Sequence, residues 1–168
     1  GLGLGMIPSM LSKSGIKVEA VELDEKVVYI ARHYFSFNEQ NIAISIEDAR
    51  TFVRTCTKKY DAIIIDLYKG DGIPAHVVSR EFFEDIKACT ADGGSVAMNA
   101  FYGIADLTTK KALLKTISEV FNAVVTFELP PRPNAKIGQG YLLARNTTSD
   151  WNFSISLKNL PMRKIKTL

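Results

Sequence analysis

Two cysteines, two histidines and one tryptophan are all that this 168-residue chain contains of those types. Cys56 and Cys89 lie far apart, without CxxC or Cys/His ligand spacing, so neither a disulfide framework nor a zinc site can be read from them. Two reduced thiols in a cytoplasmic protein, with no metal, are the expectation. No apolar run is long enough to cross a bilayer, and the opening residues carry no signal-peptide pattern, so no membrane partner is expected. Repeats, low-complexity segments and a dividing linker are also missing.

Strong charge of one sign is absent too. Lysine and arginine number 21 against 18 acids, a formal +3, and no basic stripe runs along any element, so nothing points to nucleic acid. The one basic cluster is Lys158, Arg163, Lys164 and Lys166, within an acid-free stretch from 158 to 168 that reads as a solvated tail. What remains is 46% hydrophobic and 23% charged, the make-up of an ordinary globular protein. At this length one domain, residues 1–150, followed by a basic tail, 151–168, can bury about two-thirds of the surface its unfolded chain exposes.

Strands and helices alternate. Residues 6–14 predict a helix carrying Ile7, Met10 and Leu11 and ended by Gly15. Val18 to Val21 predict a strand. Asp24 then caps a helix whose Val27, Ile30, Ala31, Tyr34 and Phe35 recur at helical spacing and predict its buried face. Ile42 to Ile46 form the next strand, and Asp48 opens a short helix with Phe52 and Val53. Ala62 to Ile65 are a short apolar, β-branched run between Asp61 and Asp66, the pattern of a buried parallel strand. Ser79 caps a helix burying Phe82, Phe83 and Ile86, which runs to a turn at Ala91-Asp-Gly-Gly94. Ser95 to Met98 form a strand ending in Asn99, and a helix from about Asp106 to Phe121 follows. Val124 to Leu129 and Gln139 to Ala144, flanking a turn at Pro130 to Asn134, predict an antiparallel hairpin at the sheet edge. Trp151 and Phe153 are expected to anchor the tail.

Such alternation means an α/β fold with a doubly wound, mostly parallel sheet and a C-terminal antiparallel hairpin. A glycine-rich turn normally follows a strand, yet Gly1-Leu-Gly-Leu-Gly-Met-Ile-Pro8 opens the chain. An upstream first strand is therefore expected from outside these residues. In this topology ligands sit beyond the carboxyl ends of the strands, and the glycine turn, Glu22, Asp48, Asp66 and Asn99 would all fall there.

Glu22 follows Gly3 by nineteen positions, the usual place of an acid that accepts both hydroxyls of a ribose. A dinucleotide fingerprint would need a third glycine where Pro8 stands, which disfavours a pyrophosphate. Asp48 can accept from the exocyclic amine of adenine, can cap the helix starting at Ala49, or can do both. Asp66 is either the cap of the following turn or the acid of a catalytic loop.

The succession Gly-Leu-Gly-Leu-Gly, Val-Glu-Leu-Asp-Glu-Lys-Val-Val, Glu-Asp-Ala-Arg, Tyr-Asp-Ala-Ile-Ile-Ile-Asp, Gly-Ile-Pro-Ala-His and Ser-Arg-Glu-Phe-Phe resembles the spermidine synthase-like branch of the S-adenosylmethionine-dependent methyltransferase superfamily, over residues 1 to about 145. The resemblance implies a Rossmann-like methyltransferase fold that binds S-adenosylmethionine or its decarboxylated form. Gly1, Gly3 and Gly5 would line the nucleoside pocket, Glu22 would hold the ribose, and Asp48 with Ala49 the adenine. Asp66 would orient or deprotonate the attacking amine, while Asp71 and Tyr68 would hold a small amine or polyamine acceptor. The family's amino-terminal hairpin domain, which serves dimerisation and cover, is not in this sequence; a homodimer stays compatible with the resemblance.

Two departures keep alternatives open. Leu4 stands where spermidine synthases carry an acid for the donor's amine, and two extra residues separate Asp66 from Asp71. The leading expectation is an aminopropyltransferase-like enzyme. A methyltransferase using intact S-adenosylmethionine comes second, and a non-catalytic nucleoside-binding or assembly module third. His76 is expected to be a turn residue and His33 shows no partner in the sequence. The sequons at Asn146 and Asn152 carry no weight without a secretion signal.

Overall fold

A computed structural model describes residues 1–68, 70, 72–103, 108–129, 134, 136–147 and 163–165. The chain forms two compact units, Gly1–Cys56 and Thr57–Leu168.

The first unit contains α1 (Met6–Lys13), β1 (Val18–Glu22), α2 (Glu25–Tyr34), β2 (Ile42–Ile46) and α3 (Ala49–Thr55). Strands β1 and β2 run parallel, with Val18 opposite Ile42 and Glu22 opposite Ile46, a pairing that requires the crossover supplied by α2. The helix ends follow local chemistry. Asp24 accepts from the Lys26 N–H at the start of α2, and Gly15, at φ +81°, takes the left-handed turn after α1. The core gathers Leu2, Ala20, Val28, Ala31, Phe37 and Ile42.

The buried face of α2 differs from the one expected. Val28 and Ala31 are buried, whereas Ile30, Tyr34 and Phe35 are exposed. An i, i+3, i+4 pattern covers a stripe wider than the two-stranded sheet beneath it, so the short side chain of Ala31 and its neighbour Val28 make the contact. Phe37 folds back under the helix instead, its N–H bonded to the Ala31 carbonyl. His33 does have partners, since Nδ1 lies 2.9 Å from the Tyr29 carbonyl and its ring stacks on Tyr29.

The second unit contains β3 (Tyr60–Ile65), a 3₁₀ turn (Ala75–Val77), α4 (Arg80–Cys89), β4 (Thr90–Gly103), α5 (Thr108–Ser118), β5 (Ala123–Glu128), β6 (Ile137–Arg145) and β7 (Arg163–Ile165). Its sheet has the order β3-β4-β6-β5-β7. The β3–β4 pair is parallel, like β1–β2, and the carboxyl-terminal strands pair antiparallel. The fold is thus α/β as expected, with the β5–β6 pair as its antiparallel hairpin. Ser79 caps α4 by accepting from the Phe82 N–H, and Phe82, Phe83 and Ile86 are buried as their spacing required.

Four local expectations are corrected. Residues 91–94 do not turn the chain but continue β4, and the pairing jumps from Tyr60–Thr90 to Ala62–Ser95, so the glycines mark a bulge. Gly93 takes φ +75° there, and Gly94 packs so tightly that a Cβ would meet Thr90 Cγ2 at 2.8 Å. The β5–β6 hairpin is not at the sheet edge, because β7 pairs with the outer side of β5. Nor is β3 a fully buried strand: Ile65 is buried but Ala62 and Ile64 are exposed, since among the described residues only β4 lies beside it. Within the expected tail, Arg163–Ile165 forms a strand on Thr126–Glu128. Trp151, Phe153, Lys158 and Lys166 lie outside the described residues, as do Pro130 and Asp106. Cys56 and Cys89 are both thiols. Among the described residues no helix is long and apolar enough to cross a membrane.

Candidate active site

In the first unit the glycine turn is tied to the end of β1 by one carboxylate. Glu22 Oε2 accepts from the Leu2 N–H at 2.9 Å, and Oε1 accepts from the Asp24 N–H at 3.2 Å. Each oxygen keeps a second lone pair, so this half-buried acid can hold the loop and still accept from a diol. Gly3 and Gly5 have φ of +55° and +77°, which favours glycine at both. Their surroundings differ. Open space lies above Gly3, where a ligand could come against bare backbone, whereas a Cβ on Gly5 would meet the Phe37 ring at 2.2 Å. Gly5 is therefore required by packing within the unit.

Asp48 caps α3, one oxygen accepting from Arg50 N–H at 2.9 Å and Thr51 N–H at 3.1 Å. Ala49, the first residue of α3, is half-buried. Beside these acids two large apolar side chains stand open, Leu23 at 64% and Ile46 at 47% exposure. Ile46 is the register partner of Glu22. An apolar surface flanked by hydrogen-bonding carboxylates suits a flat heterocycle carrying a sugar.

In the second unit Asp66 emerges from the carboxyl end of β3, half-buried. Its Oδ1 accepts from Asn99 Nδ2 at 3.0 Å; among the described residues Oδ2 shows no partner. Asn99 is held in turn. Its main-chain carbonyl accepts from the Tyr68 hydroxyl at 2.8 Å, and its Oδ1 faces Gln139 Nε2 at 3.3 Å. Gln139 Nε2 also donates to the Tyr141 hydroxyl at 3.1 Å. The sheet explains the grouping: Asn99 is opposite Tyr141 in the β4–β6 register, and Gln139 precedes Tyr141 by one pleat on the same face. Asp71 and Lys69 lie outside the described residues. His76 is exposed on the 3₁₀ turn.

The spermine/spermidine synthase domain matches residues 9–151. The chain belongs to the spermine/spermidine synthase family. Its relatives there include a polyamine aminopropyltransferase of Vibrio vulnificus, 29% identical over 143 residues that cover 82% of this chain and 47% of the relative. The N-terminal histidine N-methyltransferase of Emericella nidulans is 34% identical over 126 residues, 72% of this chain and 22% of that protein. Among solved structures, a probable spermidine synthase from Corynebacterium glutamicum superposes with a TM-score of 0.78 at 26% identity, over 88% of this chain and 54% of that one. The chain therefore spans about half the length of such relatives, or less.

Four residues of this arrangement were not legible in the sequence of this spermine/spermidine synthase family member. Leu23 and Ile46 read as ordinary strand-end residues, and their exposure next to Glu22 shows only in the structure. Gln139 and Tyr141 lie in a hairpin whose partner strand the sequence did not reveal. Asn99 was expected to end its strand, but β4 runs on through it to Gly103 because β6 pairs along that stretch, and its bond to Asp66 was not legible.

Proposed function

We propose that this chain binds an adenosyl sulfonium through its first unit and directs an amine acceptor with Asp66 of its second. The observation that carries the reading is Asp66 itself, a strand-end carboxylate with one oxygen anchored by Asn99 and the other without a partner among the described residues. The family and the aminopropyltransferase relative favour aminopropyl transfer from decarboxylated S-adenosylmethionine. In that reaction the amine lone pair attacks the carbon beside the sulfonium, the C–S bond breaks, and its electrons neutralise sulfur to a thioether. The proton released from the new ammonium passes to Asp66 or to water. Such a displacement asks the protein to align the reactants and keep the nucleophile unprotonated, and no metal is needed for either task.

Glu22 would hold the ribose, Asp48 and Ala49 the adenine between Leu23 and Ile46, and Gly1 and Gly3 the turn above them, with Gly5 shaping that turn. Tyr68 and Asp71 would receive the polyamine, Tyr68 through its ring and Asp71 through its charge. Incubating the full-length protein with decarboxylated S-adenosylmethionine and a series of diamines tests the reading. Methylthioadenosine and a lengthened amine should form together; absence of both with every diamine would defeat it.

A second reading is methyl transfer from intact S-adenosylmethionine. Leu4 favours it, since it offers the donor's aminopropyl end no counter-charge, and one relative is an N-methyltransferase. Calorimetry with the two donors separates the readings: tighter binding of the intact donor selects methyl transfer.

A further inference from the structure

Gln139 holds no substrate in the proposed reaction, yet it bonds the residue that bonds Asp66. An asparagine side chain is two-faced: its NH₂ donates and its oxygen accepts. Only the NH₂ face suits an ionised carboxylate. Asn99 presents that face to Asp66 at 3.0 Å and turns its oxygen toward Gln139 Nε2 at 3.3 Å. Rotating the Asn99 amide by half a turn would set oxygen against carboxylate and NH₂ against NH₂, replacing two bonds with two repulsions. The same Gln139 NH₂ also donates to the Tyr141 hydroxyl at 3.1 Å, so one group serves both neighbours. The Asn99 backbone is pinned from a third side by Tyr68.

Resting on the role given to Asp66 above, we propose that Gln139 is a positioning residue that acts through Asn99. It selects the amide orientation in which Asp66 keeps Oδ1 occupied and presents Oδ2 to the incoming amine. Asp66 stands just beyond the end of β3, and the side-chain partner it shows among the described residues is Asn99. A buried or half-buried polar chain of this kind works as a unit, each member setting the next.

Two near-isosteric variants of the full-length protein test this. Gln139→Met removes the donor; kcat should fall about fivefold, the worth of one neutral hydrogen bond. Gln139→Glu puts an acceptor where the donor stood and drives the Asn99 amide over, so kcat should fall about thirtyfold or more. The KM for the sulfonium donor should stay unchanged in both, and both should melt within a few degrees of the parent. An unchanged kcat in the Met variant, or equal losses in the two, overturns the proposal.

A readout independent of turnover is the ¹⁵N side-chain amide signal of Asn99. In the parent, Asp66→Asn should move it strongly; in the Gln139→Glu background the NH₂ faces residue 139 and the same change should leave it nearly still. Equal responses in both backgrounds overturn the proposal. If the parent turns over no amine with either donor, the transferase reading fails by itself, and the amide signal still decides whether Gln139 orients Asn99.

Discussion

Asn99 donates to Asp66 across 3.0 Å, although 33 positions separate them in the chain. The parallel register of β3 and β4, which sets Ile65 beside Met98, brings the residue that follows β3 alongside Asn99 within β4. Asp66→Asn should lower kcat/KM for the amine by about 10²–10⁴-fold, the range expected for a positioned acid or base. Methylthioadenosine affinity, measured by calorimetry, should hold. A comparable loss of nucleoside affinity would remove Asp66 from the chemistry.

Glu22→Ala should damage two properties at once. The Leu2 and Asp24 N–H groups lose a charged acceptor, at about 1.5–3 kcal/mol for the pair if water replaces part of it. Thermal unfolding reads that loss. Methylthioadenosine should bind at least tenfold more weakly if Glu22 holds the ribose as proposed, because that acceptor and the loop anchor are lost together. Stability lost with affinity intact would make Glu22 a loop tie and nothing more.

The two left-handed glycines should respond differently to alanine. Gly3→Ala meets open space, so it costs the conformational term alone, about 1 kcal/mol. Gly5→Ala adds a collision with Phe37 and should cost about 3 kcal/mol or more. Denaturant midpoints of the two variants, compared directly, provide the check. The pairing Gly5→Ala with Phe37→Leu should recover part of the loss.

Lys110 and Glu128 form a mostly buried ion pair beside a cavity of about 470 Å³ floored by Ala100, Thr126, Gly140 and Leu142. Burial pushes the Lys110 amine below the ordinary lysine value of 10.5. The unfolded chain then holds that proton more tightly, so this group makes stability rise with pH in the alkaline window just below 10.5. Glu128→Gln should destabilise by about 1–3 kcal/mol by stranding the cation. The double change Lys110→Met with Glu128→Leu should be nearly neutral. Urea melts across alkaline pH check both claims, and a pH slope that survives Lys110→Met contradicts the first.

Sequence alone was enough for the helix caps and for the buried face of α4. Ser79, Asp24 and Asp48 announce their helices because a capping side chain bonds to an N–H two or three residues on. Phe82, Phe83 and Ile86 announce a buried face because helical spacing is local. The order of the elements and the strand-end acids Glu22, Asp48 and Asp66 followed from the same reading.

Tertiary structure alone decided what depends on register between distant strands. No periodicity says that β6 inserts between β4 and β5, so nothing in the sequence could bring Gln139 and Tyr141 to Asn99, or Asn99 to Asp66. Glycines at 93 and 94 announce a backbone irregularity but not its kind; pairing with β3 makes it a bulge. Gly3 and Gly5 look alike as letters, and only the Phe37 ring tells them apart. Caps are settled within a few residues, whereas the buried face of α2 depended on the sheet beneath it, and a hydrogen-bonded group drawn from three strands exists only once those strands have found their partners.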